Sequence, residues 1–519
     1  MTENKLPSGH TRIDTLEMRG ITKRFPGVLA NDKVDFDVCS GEVHALLGEN
    51  GAGKSTLMKV LYGMYEPSKG EIVLNGEAIK INSPTDAIKH GIGMIHQHFM
   101  LVETLTVAEN VALGLPSSRG FVTDLDKVSE RILELAEIYG LQIDPDAYIW
   151  QLSVGQQQRV EIIKALYRGA ALLILDEPTA VLTPQEVDEF FVIMRQMVKD
   201  GHGLIFISHK LHEIMDICDR VTVLRDGVKI GTKNIAEITK SELANWMVGR
   251  EVSMTRDLGE LEHGSARLSL QNITCQSDRG TPALRGISLD VYSGEILGVA
   301  GISGNGQREL AEAITGLREI ESGKVILEGE DVTGFRPGEL TGRMLSYIPE
   351  ERMRDGMIKD FTISENMILR EHHVSPFAEK GFLMLKTIAK NADELIKRFN
   401  VKTPSRETKA GSLSGGNIQK VVLARELSRK PRVLIAAQPT RGLDVGATEY
   451  VHAQLIEQRR DGTAIMMISE DLDEVMAMSD RIAVLHEGKV MDVLLREDAT
   501  PEKLGLLMAG VKEETAVAA

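Results

Sequence analysis

The chain has 519 residues, a net charge of −16 and 42% hydrophobic residues, which is an ordinary composition for a globular protein. Its length exceeds the size at which a single hydrophobic core stops growing, so we expect more than one domain. The acidic balance argues against a nucleic-acid partner, because proteins that bind the phosphate backbone normally carry clustered basic surface.

Cysteine usage and hydropathy point to a reduced environment and to no membrane-spanning segment. Cys39, Cys218 and Cys275 show neither paired nor metal-ligand spacing, which predicts free thiols and a cytoplasmic location. No apolar stretch reaches the length needed to cross a bilayer, and the N-terminus is too polar for a secretory signal. We therefore expect any membrane component to be a partner chain.

The first chemical motif is a phosphate-binding loop between a predicted strand and a predicted helix. Residues 44–48 (HALLG) are apolar, and residues 57–64 carry apolar side chains at helical spacing. Backbone N–H groups around residues 51–55 can wrap phosphates at the helix N-terminus, Lys54 can reach the β- and γ-phosphates of ATP, and Ser55 can ligate Mg²⁺. The predicted nucleotide-binding residues of the loop are Gly48, Glu49, Asn50, Gly51, Ala52, Gly53, Lys54, Ser55 and Thr56.

Further apolar runs end in chemically active residues. Residues 171–175 (ALLIL) predict a buried parallel strand, with Asp176 and Glu177 at its carboxyl end, where open α/β sheets bind ligands. Asp176 is the predicted metal-side carboxylate, and Glu177 is the predicted general base that polarises the attacking water. His209 ends the run GLIFISH, where it can hold the γ-phosphate. Short apolar strands that alternate with helical patterns predict an α/β fold.

The same motifs occur a second time at an offset of roughly 250–260 residues, far longer than a solenoid repeat. Residues 301–309 read GISGNGQRE, so Gln307 stands where the loop lysine belongs and Arg308 where the hydroxyl belongs. The matching pairs are Gly48 with Gly301, Gln97 with Glu350, Ser153 with Ser414, Asp176 with Ala437 and His209 with Glu470. We predict an N-terminal tail (1–14), a first domain (15–250), a polar linker (251–264), a second domain (265–510) and a C-terminal tail (511–519).

These motifs resemble the nucleotide-binding domain of an ABC ATPase, once in each half. In the first half the resemblance rests on GENGAGKST, MIHQHF, LSVGQQQRV, LLILDEPT and His209, and in the second half on LSGGNIQKV and PTRGLD. It implies tandem P-loop NTPase domains, each with a RecA-like core, a helical subdomain and an antiparallel β subdomain. A fused pair with a weak second site resembles the ATPase subunit of bacterial importers of simple sugars and nucleosides.

The resemblance implies further roles. Gln97 senses the γ-phosphate and Mg²⁺, and Phe25 stacks on adenine. In the family the domains face each other head to tail, so the signature residues Ser414, Gly415 and Gly416 complete the first ATP site. The departures from the family pattern all fall in the other site: Gln307, Arg308, Glu350, Ala437, Gln438, Glu470, Val154 and Thr183. We therefore expect one hydrolysing site, while Arg308 could restore part of the lost charge and leave nucleotide binding open at the second.

The resemblance also defines the alternative functions to be compared. The hypothesis of an importer ATPase implies integral-membrane permease subunits, an extracytoplasmic substrate-binding protein and a peripheral position on the cytoplasmic face of the inner membrane. MIHQHFML and AAQPTRGLDVGA favour nucleosides over ribose or galactose as the solute. A soluble translation or DNA-repair factor with twin domains is the alternative, but such proteins usually carry two intact ATP sites or zinc modules. A non-catalytic scaffold conflicts with the intact first loop.

Overall fold

The computed structural model describes residues 5–7, 11–96, 99–115, 124–179, 182, 184–208, 210–250, 264–302 and 304–511. The chain folds into two compact units, Met1–Val252 and Ser253–Ala519. Of the predicted linker, only Gly264 belongs to the described residues. The predicted domain boundaries therefore stay predictions.

The first unit contains an antiparallel sheet, a largely parallel sheet and a group of helices. Its elements in chain order are β1 Thr15–Phe25, β2 Val28–Cys39, β3 Val43–Leu47, α1 Lys54–Leu61, β4 Lys69–Leu74, β5 Glu77–Ile79, α2 Pro84–Lys89, β6 Ile92–Ile95, α3 Val107–Ala112, α4 Leu125–Tyr139, α5 Val154–Tyr167, β7 Leu172–Asp176, α6 Pro184–Lys199, β8 Gly203–Ile207, α7 Leu211–Ile217, β9 Arg220–Arg225, β10 Val228–Asn234 and α8 Lys240–Val248.

The sheets of this unit have different strand orders. The antiparallel sheet runs β2-β1-β4-β5 and the other runs β10-β9-β3-β8-β7-β6, in which only the edge pair β10–β9 is antiparallel. The central strands β3 and β8 are buried at every residue, as expected where helices cover both faces of a parallel sheet. The predicted strand 44–48 is thus β3, and the predicted strand 171–175 is β7, each displaced by one residue.

The core of the first unit lies between its sheets, with α1 at the centre. Leu16 and Phe36 of the antiparallel sheet, Leu46 and Ile174 of the parallel sheet, and Leu57 of α1 belong to one buried cluster. The helices α3, α4 and α5 pack against one another as a separate helical layer. Because α1 packs against residues of both sheets in this cluster, its N-terminus and the loop before it are held in a defined position.

The second unit repeats this architecture. Its elements are β11 Ala266–Gln276, β12 Pro282–Tyr292, β13 Ile296–Ala300, α9 Gln307–Ile314, β14 Ser322–Leu327, β15 Glu330–Asp331, α10 Pro337–Gly342, β16 Leu345–Ile348, α11 Ile363–Met367, β17 Ala378–Glu379, β18 Phe382–Leu383, α12 Leu385–Arg398, α13 Gly415–Leu427, β19 Val433–Ala437, α14 Val445–Arg460, β20 Ala464–Ile468, α15 Leu472–Met478, β21 Arg481–His486, β22 Lys489–Leu495 and α16 Pro501–Met508.

Its sheets run β12-β11-β14-β15 and β16-β19-β20-β13-β21-β22, with the helices α11, α12 and α13 packed together. The second unit also contains the short antiparallel hairpin β17–β18. The prediction of a repeated α/β fold with a core sheet, an antiparallel sheet and a helical part in each unit is confirmed. Within the described residues, no helix combines the length and the apolar character required to cross a membrane.

A buried charge cluster ties α13 of the second unit to the chain after α11. Glu426 is fully buried, and its carboxylate accepts hydrogen bonds from Arg425 at 2.8 Å and pairs with Arg370 at 2.9 Å. Burial alone raises the pKa of Glu426, but the charges of Arg370 and Arg425 outweigh it and hold that pKa below its usual range. The ionised carboxylate is therefore part of the folded state.

We expect Glu426→Gln to lower the free energy of unfolding of the second unit by about 3–5 kcal/mol, because it leaves the buried Arg425 and the partly buried Arg370 without their counter-charge. The difference between the wild type and the variant should shrink in acid, since a lowered pKa contributes stability above the unfolded-state pKa and loses it as the pH falls through the folded one. Urea unfolding at pH 7 and at pH 4 measures both effects.

The matched control is Asp393→Asn, which breaks the exposed pair that Asp393 forms with Arg406. Exposed ion pairs contribute little to stability, so the unfolding transition of this variant should lie close to that of the wild type. Equal transitions for the two variants would contradict a stabilising role of the buried cluster.

Candidate nucleotide-binding site

The phosphate-binding loop of the first unit runs from the end of β3 to the start of α1 and is shaped by glycines. Gly51 and Gly53 have φ angles of 90° and 98°, in the left-handed region that glycine adopts without a steric penalty. A Cβ atom on Gly53 would lie 2.4 Å from the carbonyl oxygen of Ala30. The buried amide of Asn31 donates to the carbonyl of Gly53 at 3.2 Å, so β2 holds the loop from below.

Lys54 begins α1 and is only 7% exposed. Its Nζ donates to the carbonyl oxygens of Gly48 at 2.7 Å and of Glu49 at 3.0 Å. The loop's own carbonyls thus hold the ammonium group inside the curve of the loop. This places a positive charge at the N-terminus of α1, where the backbone N–H groups also favour an anion.

Some of the remaining loop residues are buried and stabilise the loop, and others are exposed to solvent. Gly48 is buried, and a Cβ atom there would lie 2.3 Å from the carbonyl oxygen of Leu224. Ala52 is also buried, and its N–H donates to the carbonyl of Glu49 at 3.0 Å. Asn50 and Ser55 are exposed, and Thr56 is half-buried. The hydroxyl of Ser55 therefore lies on the open side of the first turn of α1, where a metal ion can reach it.

Asp176, the last residue of β7, is electrostatically coupled to the loop. Burial and the neighbouring charge of Glu177 raise the pKa of Asp176, whereas the ammonium groups of Lys54 and Lys59 lower it. The structure therefore brings the loop lysine and the predicted metal-side carboxylate into one site. A divalent cation held by carboxylate and hydroxyl oxygens fits a partly buried carboxylate at this strand end.

Glu177 has an unusual backbone conformation. Its φ angle is 50°, a left-handed conformation that costs a non-glycine residue roughly 1–2 kcal/mol. Its N–H donates to the carbonyl of Ile207 at 2.9 Å, which fixes the turn to the end of β8. Gln438, the matching residue of the second unit, has a φ angle of 46° and donates to Ile468 at 2.7 Å. Strained turns of this kind are frequent at functional sites.

A buried carboxylate supports the end of β7 in the first unit. Glu213 accepts hydrogen bonds from Thr179 at 2.6 Å and from Ser208 at 2.9 Å, and it pairs with Lys210 at 3.0 Å. It thereby links the chain after β7 to the chain after β8. Sequence reasoning missed Glu213, although its hydroxyl partners lie within the motifs LLILDEPT and GLIFISH.

The second unit has the same arrangement with a different partner for the carboxylate. Glu474 accepts hydrogen bonds from Thr440 at 2.7 Å and Ser469 at 2.6 Å, and the imidazole of His452 lies 2.7 Å from its Oε1. Burial alone raises the pKa of Glu474, but the contacts with His452 and the hydroxyl groups lower it overall. The buried carboxylate is therefore common to both units, whereas its nitrogen-bearing partner, Lys210 or His452, is not.

Phe25 ends β1 at the position predicted for adenine stacking. Its ring packs edge-on against Tyr65 with a centroid distance of 5.3 Å, and Nζ of Lys23 lies 5.2 Å from its centroid. Phe25 is half-buried, so part of its surface is accessible. Lys23 and Tyr65 were not predicted, because they are separated in sequence from every motif.

Gln97, His209 and Thr183 lie outside the described residues, so the roles assigned to them stay predictions. The predicted signature residues of the second half are described. Ser414 precedes α13 and accepts a hydrogen bond from Asn417 at 2.9 Å. Gly415 and Gly416 form the first turn of α13 and are half-buried, which leaves the start of this helix partly accessible.

The loop of the second unit keeps its backbone and loses its charge. Gly304 and Gly306 have φ angles of 87° and 102°, close to those of the matching glycines in the first unit. Gln307 replaces the lysine, and its Nε2 donates to the carbonyl of Ile302 at 3.0 Å while its Oε1 accepts from the N–H of Asn305 at 3.1 Å. A neutral amide thus folds back onto the loop where the first unit has an ammonium group.

Arg308 is engaged by neighbouring carboxylates. Its Nε donates to Glu312 at 2.8 Å, and its Nη1 lies 3.6 Å from Asp278. Ala437, at the end of β19, is buried and apolar, and Glu350 pairs with Arg441. In the second unit the arginine charge is therefore shared with acids, and the metal-side carboxylate is replaced by a methyl group.

One further cluster in the described residues has the composition of a metal site: Asp37, Glu42 and His44. The guanidinium of Arg220 donates to Asp37 at 2.7 Å and to Glu42 at 3.2 Å. Burial lowers the pKa of His44 to about 4, so the ring is neutral at physiological pH. Arg220 already supplies the positive charge, and the cluster is a structural ion pair between the sheets.

The comparisons with known proteins agree with this geometry. The family model described as ABC transporter matches residues 31–180 and 284–441. A nucleoside import ATP-binding protein of Lactococcus lactis subsp. cremoris is 48% identical over 95% of this chain and 98% of its own length. A guanosine import ATP-binding protein of Bacillus subtilis is also 48% identical, over 96% and 98%. A glucose import ATP-binding protein of Haloferax volcanii is 46% identical over 98% of both chains.

Among solved structures, an archaeal ribosome recycling factor, in complex with a ribosomal stalk protein, matches with a TM-score of 0.62. The match covers 95% of this chain and 92% of that chain, at 19% sequence identity. At this identity the likeness shows the fold alone.

We expect Gly53→Ala to abolish ATP binding, because the new Cβ meets the Ala30 carbonyl in a backbone conformation that alanine avoids. Gly76→Ala is the matched control, since Gly76 has a φ angle of 84° but no atom within 4 Å of an added Cβ. The control should cost about 1 kcal/mol of stability and leave ATP affinity intact. Binding of a fluorescent ATP analogue measures the affinities of both variants. A Kd of Gly53→Ala within about threefold of the Kd of the control would contradict the assigned loop geometry.

Proposed function

The chain belongs to the ABC transporter family, and we propose that it is the ATP-hydrolysing subunit of an importer whose hydrolysis takes place in the first unit. The observation that carries this proposal is the contrast between matching positions. Lys54 and Asp176 are coupled in the first unit, whereas Gln307 and Ala437 occupy their places in the second. Members of the family bind ATP, and their ATP-binding subunits hydrolyse it to power transport.

In the proposed mechanism, the loop and Lys54 bind the phosphates of ATP. Ser55, Asp176 and Gln97 would hold Mg²⁺, which neutralises phosphate charge and aligns the γ-phosphate when it is bound. The exposure of Ser55 and the position of Asp176 at the carboxyl end of β7 support this assignment. Phe25 would stack on adenine through its accessible surface.

The attacking water requires a base. Glu177 would accept its proton, and the left-handed turn held by Ile207 would aim the carboxylate away from the sheet. His209 would hold the γ-phosphate. The signature residues Ser414, Gly415 and Gly416 remain proposed nucleotide-binding residues, because the start of α13 offers N–H groups to an anion.

The second unit, in this proposal, does not hydrolyse ATP. It lacks the lysine, the metal-side carboxylate and the base, and its Arg308 is paired with Glu312 and Asp278. Its loop backbone is intact, so its contribution is structural or limited to nucleotide binding. One turnover site per chain follows from this division.

The proposed solute is a nucleoside. The support is the 48% identity to a nucleoside import protein and to a guanosine import protein over nearly the whole chain. A monosaccharide is the second candidate, because a glucose import protein is 46% identical. Integral-membrane permease subunits and an extracytoplasmic substrate-binding protein are the proposed partners, nucleic acid is not, and the proposed location is the cytoplasmic face of the inner membrane.

We expect Glu177→Gln to lower the rate of ATP hydrolysis at least about a hundredfold while ATP binding persists, since a general base typically contributes 10²–10⁴-fold. Gln438→Glu is the matched control at the same strained turn of the second unit. It should change the rate of ATP hydrolysis less than twofold, which corresponds to about 0.4 kcal/mol in the activation free energy, because Gln307 and Ala437 remain in the second unit. Steady-state phosphate release from the complex measures both, and either a retained rate in Glu177→Gln or a doubled rate in Gln438→Glu contradicts the assignment.

The solute is tested by uptake of labelled guanosine in cells that lack the gene and carry either this chain or its Glu177→Gln form. We expect uptake only with the unaltered chain, and we expect excess ribose or glucose to leave it unchanged. Competition by either sugar would favour the monosaccharide candidate. Uptake that is independent of Glu177 would instead contradict the proposed hydrolytic site, so the two failures are distinguishable.

A further inference from the structure

The hairpin β17–β18 presents apolar side chains to solvent. Phe382 is 75% exposed, and Leu385, directly after the hairpin, is 70% exposed. Leu383 is 49% exposed, and Val374, at the hairpin base, is 42% exposed. Large apolar side chains at this exposure within so short a segment are typical of an interaction surface.

The hairpin has a defined conformation. Lys380 and Gly381 form its turn with φ angles of 49° and 82°, which is the two-residue turn that matches the twist of paired strands. The carbonyl of Phe377 accepts a hydrogen bond from Met384 at 2.8 Å and closes the base. The conformation of the hairpin tip is therefore already formed in the protein and does not require a partner.

A small buried cluster anchors this hairpin to the helical part of the second unit. Phe377, Ile368 and Ile388 are each less than 10% exposed and pack together. They join the chain after α11, the hairpin base and α12. The exposed tip is thus separate from the residues that stabilise the fold, and it can be altered without removing core contacts.

Apolar side chains occupy both faces of the hairpin. Ala378 pairs with Leu383 and Glu379 pairs with Phe382 across the strands, and consecutive strand residues point to opposite faces. Leu383 and Phe382 therefore project in opposite directions. A flat protein surface would cover one of these faces, whereas a fluid apolar medium surrounds both.

Basic residues flank the tip. Lys380 lies in the turn and Lys386 follows Leu385, and both are exposed. Only Glu379 opposes them within the hairpin, in a chain whose net charge is −16. Segments that lie in the headgroup region of anionic bilayers typically combine Phe and Leu side chains with flanking lysines. The aliphatic stems of the lysines lie along the apolar layer, and their ammonium groups contact the lipid phosphates.

We infer that the hairpin β17–β18 inserts Phe382, Leu383 and Leu385 into the surface of an anionic lipid bilayer, with Lys380 and Lys386 on the lipid phosphates. This contact goes beyond the proposed ATPase and does not depend on it. It gives the subunit a direct hold on the membrane in addition to its proposed permease partners.

The test is co-sedimentation of the full-length chain with phosphatidylcholine vesicles that contain or lack phosphatidylglycerol. The wild type should bind the anionic vesicles, and Phe382→Asp/Leu385→Asp should weaken this binding about tenfold or more. Both positions are exposed, and an aspartate at the first residue of α12 favours the helix N-terminus, so the variant should fold. Phosphatidylcholine alone should bind the wild type more weakly.

The matched control is Val192→Asp/Leu133→Asp, which adds the same charge at exposed apolar positions of the first unit, 68% and 52% exposed. It should bind anionic vesicles like the wild type. Equal binding by both double variants overturns the inference, and so does a wild type that fails to bind the anionic vesicles. The rate of ATP hydrolysis is measured on the same samples. It shows whether a loss of vesicle binding occurs with or without a loss of the proposed ATPase activity.

Discussion

The left-handed backbone at the carboxyl edge of the parallel sheet is the constraint on which the rest of the first unit depends. Gly51 and Gly53 turn the chain sharply between β3 and α1, and Glu177 turns it at the end of β7. The core holds α1 between the sheets, and Glu213 ties the ends of β7 and β8 together. These contacts offset the strain of the turns and set the distance between the loop charge and the carboxylates.

The second unit shows which parts of this arrangement belong to the fold and which to the chemistry. The glycine angles of the loop, the left-handed turn at Gln438 and the buried carboxylate Glu474 are all retained. The residues that would meet phosphate, metal and water are replaced. The nitrogen-bearing partner of the buried carboxylate also differs, Lys210 in the first unit and His452 in the second.

Much of this could be predicted from the sequence, because the relevant signals are local. Apolar runs that end in Asp176 or in the glycine-rich loop predicted β7 and β3 to within one residue, and the repeat predicted the second unit. The supports of the site could not be predicted in the same way. Glu213, Asn31 and Tyr65 act through partners far away in sequence, and a buried carboxylate has no periodic pattern. Of the two ion pairs of Arg308, the one with Asp278 likewise depends on tertiary folding, which brings the two residues together.

The intact loop backbone of the second unit has an evolutionary consequence. A lost activity is hard to regain when the main chain has been rebuilt, because many simultaneous changes are then needed. Here Gly304 and Gly306 have nearly the same φ angles as Gly51 and Gly53, and the replacements at Gln307 and Arg308 change side chains. A protein engineer who wishes to exchange the chemistry of the two halves therefore starts from glycine conformations that already match, and needs to change side chains rather than rebuild the main chain at these positions.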